Sequence, residues 1–71
     1  MGRVLRAKRV GAGLSQEALA ERAGLTANHV QNLEKGAMAP TITTLERLGE
    51  ALGVKGSELL LDAEVNLSRI D

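Results

Sequence analysis

Thr26, Asn28, His29, Gln31 and Asn32 fall within seven consecutive positions of the stretch LTANHVQNLEKG, residues 25–36, around Val30 and Leu33. Amides and hydroxyls both donate and accept hydrogen bonds, and a neutral imidazole does the same through its two nitrogens. A helix that buries positions 30 and 33 turns Asn28, Gln31 and Asn32 to its opposite side. Such a face suits the recognition of a donor and acceptor pattern, not the making or breaking of bonds. The rest of the chain offers catalysis little: there is one His, no Cys, and no carboxylate pair set beside a nucleophile or metal ligands. His29 lacks a Cys or acidic neighbour at metal-ligand spacing, so it counts among the contact groups and no metal or cofactor is expected.

Net charge is formally zero, which argues against a protein that holds a polyanion by bulk charge. Distribution says more than the sum. Arg3, Arg6, Lys8 and Arg9 precede any acid, the first being Glu17, whereas Glu58, Asp62, Glu64 and Asp71 face only Arg69 at the other end. The expected molecule is a dipole with a basic end.

Elements that position these groups must be short and helical. At 71 residues without Cys, the chain allows one small domain held by packing alone, and the absence of aromatic residues leaves Leu, Val, Ile, Ala and Met to fill it. A first helix is expected over residues 2–12, with Leu5, Arg9 and Ala12 at helical spacing, Val4 and Val10 flanking, and Gly11 and Gly13 stopping it. Ser15 caps a second helix over residues 16–23, which buries Leu19, Ala20 and Ala23 and ends at Gly24. Thr26 caps the third, which Lys35 and Gly36 close. After Pro40 and Thr41, a fourth helix shows Ile42, Leu45, Leu48, Gly49 and Leu52 on one face and stops at Gly53. Ser57 and Glu58 open a short fifth carrying Leu59 and Leu60.

GLSQEALAERAGLTANHVQNLEKG resembles the helix-turn-helix of the phage repressor and Cro type, the XRE family, and the likeness continues from about Leu5 through PTITTLERLGEALGVKGSELL. Ser15-Gln16, Leu19-Ala20, Gly24, Val30, Leu33-Glu34, Gly36, Pro40 and the run ALGV stand in the family's order and spacing. The resemblance implies an all-α, compact five-helix, lambda-repressor-like domain whose second and third helices form the helix-turn-helix. It implies a sequence-specific regulator of transcription, repressor or controller, that binds double-stranded DNA with the third helix in the major groove and the second across the phosphates. Base or phosphate contacts then fall to Ala27, Asn28, His29 and Asn32, with Gln16 on a phosphate and against the reading helix. Gln31 joins them by sharing the face of Asn28 and Asn32, whose amides suit a two-bonded contact to adenine. Ala27 departs from the larger polar residue common there, which leaves it a methyl contact to thymine. Glu34 would repel phosphate if left free; the family pairs this position with an Arg on the first helix, here Arg9. Phosphate anchoring is assigned to Gln16, Arg6, Lys35 and the backbone amides near Gly36.

One such unit reads only a few base pairs, so a two-fold homodimer on half-sites roughly 34 Å apart is expected. Residues 1–71 are read as one domain in which 62–71 form a C-terminal extension, and Leu61, Val65, Leu67 and Ile70 supply the candidate dimer surface. No apolar run approaches the roughly 18–20 residues of a spanning helix, and the N-terminus has no apolar signal stretch, which leads to the expectation of a soluble, cytoplasmic protein without membrane contact. No small-molecule ligand is evident. The alternative reading is a protein-interaction module, such as an antitoxin-like partner, which the neutral charge and Ala27 keep open.

Overall fold

Local signals for starting and stopping helices recur along the chain, and the computed structural model, which describes residues 2–55 and residue 59, places a helix between each pair of them. These are α1 (Gly2–Gly11), α2 (Gln16–Ala23), α3 (Ala27–Lys35) and α4 (Ile42–Leu52). Each of the last three opens on a hydroxyl cap. Ser15 Oγ accepts from the Ala18 amide at 3.0 Å, Thr26 Oγ1 from the His29 amide at 3.0 Å, and Thr41 Oγ1 from the Thr44 amide at 3.1 Å. Each cap satisfies one of the amides that a helix start leaves without an intrahelical partner.

The connection between α2 and α3 is only Gly24, Leu25 and Thr26. Gly24 sits at φ 69°, in the left-handed region where a Cβ is penalised, and the Leu25 amide donates back to the Ala20 carbonyl at 2.8 Å. That closure ends α2 sharply and turns the chain straight into the cap of α3. Ala20 and Ala23 are buried where α2 meets its neighbours, and their small side chains allow α3 and α4 to pack closely on it.

Leu5, Leu19, Val30, Leu33, Leu48 and Leu59 have no exposed surface, and with Ala20, Ala23 and Leu45 they form one core. Burying each leucine contributes about 1.5–3 kcal/mol, which matters in a domain this small. Pro40 and the Thr44 side chain are buried with them. The expectation that Met joins this core fails at Met38, which is 44% exposed in the loop after α3. The first helix also differs from its sequence reading. It ends at Gly11, so Ala12 lies beyond it, and Val10 is 59% exposed because Leu5 and Val4 set the inward stripe and position 10 falls on the other side. Leu59 is buried, but the rest of the expected fifth helix lies outside the described residues.

α1 crosses α3, and the contact is close at one point: a Cβ at Gly2 would overlap the Glu34 carbonyl. The absence of a side chain there lets the start of α1 lie against the last turn of α3. No helix among the described residues is long and apolar enough to cross a membrane.

Candidate nucleic-acid interface

Val30 and Leu33 anchor α3 in the core, and the helical repeat turns its polar residues away from them. Asn28, Gln31 and Lys35 are exposed, and His29, Asn32 and Ala27 are half-buried at the edges, Ala27 resting against the core. The side chains of Asn28, His29, Gln31, Asn32 and Lys35 make no hydrogen bond or ion pair among the described residues. They are donors and acceptors held at the surface by a helix whose other side is fixed.

Glu34, on the same helix, is fully engaged. Arg9 Nε donates to Glu34 Oε2 at 2.6 Å and Arg9 Nη2 to Oε1 at 3.1 Å, a two-bonded fork with the side chains only 12% and 6% exposed. Gln16 Nε2 donates to Glu34 Oε1 at 3.2 Å, and Arg9 Nη1 donates to the Leu14 carbonyl at 2.9 Å. One guanidinium therefore ties α1, the α1–α2 connection and α3 together. Its hydrogen bond to Glu34 raises the Arg9 pKa above its usual value; burial opposes this, and the carboxylate charge adds to it. A carboxylate has no donor, so it is the amide nitrogen of Gln16 that must face Glu34. This fixes the Gln16 side chain against α3.

Arg6, Arg9, Gln16, Gln31, Glu34 and Lys35 line a shallow recess of about 270 Å³ where α1, α2 and α3 converge. Arg6, Gln16 and Lys35, read from the sequence as phosphate contacts, thus stand together, with the cap residue Gly36 next along the chain at φ 76°. Gln31, read as one of the base-reading amides, lines this recess as well, whereas Asn28 and Asn32 do not. Sequence reasoning also missed the Leu14 carbonyl as a partner of Arg9 and the Gln16 to Glu34 bond. The first is set by the turn after α1, five residues along the chain, and the second by the way α2 packs on α3. The dimer candidates Leu61, Val65, Leu67 and Ile70 lie outside the described residues.

A capped helix pair joined by a three-residue turn that opens on a left-handed glycine, with the second helix polar on its outer side, is the architecture of a helix-turn-helix domain. Residues 5–59 match the helix-turn-helix family model, and the chain belongs to that family, in its XRE-type branch. It is similar to an uncharacterized HTH-type transcriptional regulator of Sinorhizobium fredii, 42% identical over 48 residues that cover 68% of this chain and 62% of that one. It is also similar to the cryptic phage CTXphi transcriptional repressor RstR of Vibrio cholerae, 36% identical over 63 residues, which cover 89% of this chain and 57% of the repressor. The chain thus spans about three-fifths of the length of these two relatives. Among solved structures, it superposes on the restriction-modification controller protein C.AhdI of Aeromonas hydrophila with a TM-score of 0.81 and 36% identity, covering 83% of this chain and 89% of that one.

Proposed function

We propose that this chain is a sequence-specific, duplex-DNA-binding regulator of transcription, of the repressor or controller kind, with no catalytic activity of its own. The observation that carries this reading is the outer side of α3: amides and an imidazole without partners among the described residues, on a helix held by Val30, Leu33 and the Arg9–Glu34 fork. Residues 1–71 act as one domain. α3 enters the major groove, where Asn28, His29 and Asn32 meet base edges and Ala27 offers a methyl group. Gln16, Arg6, Lys35 and the amide region of Gly36 hold the phosphate backbone and set the register. A regulator named as a repressor and a protein named as a controller stand among its relatives, which supports the assignment. Two copies bind a two-fold symmetric site, with the segment 62–71 as the candidate contact between them.

The experiment is equilibrium binding of the whole chain to duplex DNA across a salt series. Affinity should fall steeply with salt and drop further in a Gln16→Ala, Asn32→Ala variant that keeps its helical far-UV circular dichroism at the assay temperature. Salt-insensitive or absent binding would instead favour a protein partner for the same face.

A further inference from the structure

Polar residues of α3 form two adjacent rows of one-turn spacing: Asn28 and Asn32 in one, Gln31 and Lys35 in the other, which starts from Ala27 at the edge of the core. Only the second row reaches the recess, through Gln31 and Lys35, where Arg6 and Gln16 complete the lining from α1 and α2. Arg6, Gln31 and Lys35 make no hydrogen bond or ion pair among the described residues. Gln16 spends one amide hydrogen on Glu34 and keeps the other. Among the described residues Glu34 brings the only negative charge in the lining, and it is matched by Arg9 with both oxygens occupied, so Arg6 and Lys35 remain as cations unmatched by these residues. Guanidinium and ammonium groups donate without accepting. A recess so equipped fits an oxyanion, whereas a base edge offers donors and acceptors side by side.

We infer that this recess seats one backbone phosphodiester of the bound duplex, and that Gln31 belongs to this seat and does not read a base. The inference rests on the DNA-binding reading above. It divides α3 into a base row, Asn28 and Asn32, and a backbone row, Gln31 and Lys35. Gln31 then sets where along the duplex the base row comes to lie, without favouring any base pair itself.

The test begins with sites selected from random duplexes by the wild-type chain and by Gln31→Ala, a change at an exposed side chain that leaves the core intact. Both should return the same consensus, with Gln31→Ala binding about tenfold more weakly to selected and random duplexes alike, as expected for a lost hydrogen bond to a charged group. Arg6→Ala should lower the slope of log affinity against log salt by about 0.9. A scan with single neutral methylphosphonate linkages should find one position per half-site that weakens the wild type and leaves an Arg6→Ala, Gln31→Ala variant nearly unchanged. A consensus altered at one base pair with random-duplex affinity preserved would overturn the assignment, as would a scan in which no linkage distinguishes the two proteins. Inorganic phosphate that displaces duplex beyond its ionic-strength effect would assign the recess to a free anion and equally overturn it. Failure of the wild type to bind any duplex would remove the underlying reading as well, an outcome distinct from the others.

Discussion

On the side of α3 that faces α1, Glu34 accepts three hydrogen bonds from Arg9 and Gln16; on the outer side, Asn28, Gln31 and Asn32 give their side chains to nothing among the described residues. Both sets are polar, and both lie on one helix of nine residues. The engaged side decides where the helix sits, and the unengaged side decides what it can meet. A carboxylate this close to the proposed phosphate-binding surface is tolerable because its charge is already answered. An amide held by a partner inside the protein would be lost to recognition. Residue type alone does not separate the two roles; the separation comes from the angle around α3 and from which helix crosses there.

Breaking the engaged side should have the largest effect. Arg9→Met leaves Glu34 with Gln16 alone and should cost about 2–3 kcal/mol, at or below the range for a fully buried pair because solvent still reaches the guanidinium. That corresponds to a fall in Tm of about 10 °C or more, read by far-UV circular dichroism since the chain has neither Trp nor Tyr. Arg9→Lys keeps the charge without the fork and should lie between. Because the Arg9 pKa is raised in the folded state, the stabilisation is fully present below the usual arginine value and is lost only as pH rises through the still higher folded value. Melting at neutral and moderately alkaline pH should therefore show no loss traceable to this cation.

A smaller loss is expected at the turn that delivers α3. Gly24→Ala forces a Cβ into the left-handed region and should cost about 1–2 kcal/mol, although the space around that position is open. Thr26→Ala removes the cap of α3 and should cost about 1 kcal/mol. If either variant melts like the wild type, the turn does not fix α3 in the way described. In the opposite direction, Gly11→Ala, in open space without a positive φ, should raise stability by about 0.4–1 kcal/mol. The smallest stability effects belong to the unengaged side, where Asn28→Ala or Gln31→Ala should shift the melt by less than about 0.5 kcal/mol. A larger shift would mean that the outer residues hold the fold after all.

Helix ends were legible because their causes are local. Ser15, Thr26 and Thr41 are followed by amides that need acceptors, and Gly24, Gly36 and Gly53 stand where a chain leaves a helix with positive φ. The outward turn of Asn28, Gln31 and Asn32 followed from the spacing of Val30 and Leu33. The Arg9–Glu34 pair came from a family resemblance, since 25 positions separate its members and no spacing joins them. Two apolar residues misled. Val10 and Met38 have core-forming side chains, but α1 turns position 10 outward and the loop after α3 leaves position 38 on the surface. Gln31 was grouped with the other amides by helix angle. Its place beside Arg6 and Gln16 depends on the crossing of α1 and α2, which a one-dimensional pattern does not contain.

The central claim is that the row of Asn28 and Asn32 on α3 reads base pairs while Val30, Leu33 and Glu34 fix the helix in the protein. Selection of bound sites from random duplex DNA, run in parallel for the wild-type chain and an Asn28→Ala, Asn32→Ala variant, tests it most directly. The account predicts a defined, two-fold symmetric consensus for the wild type. For the variant it predicts a weakened or lost consensus, with an unchanged melting temperature and residual salt-sensitive binding to any duplex. An identical consensus from both proteins would contradict it.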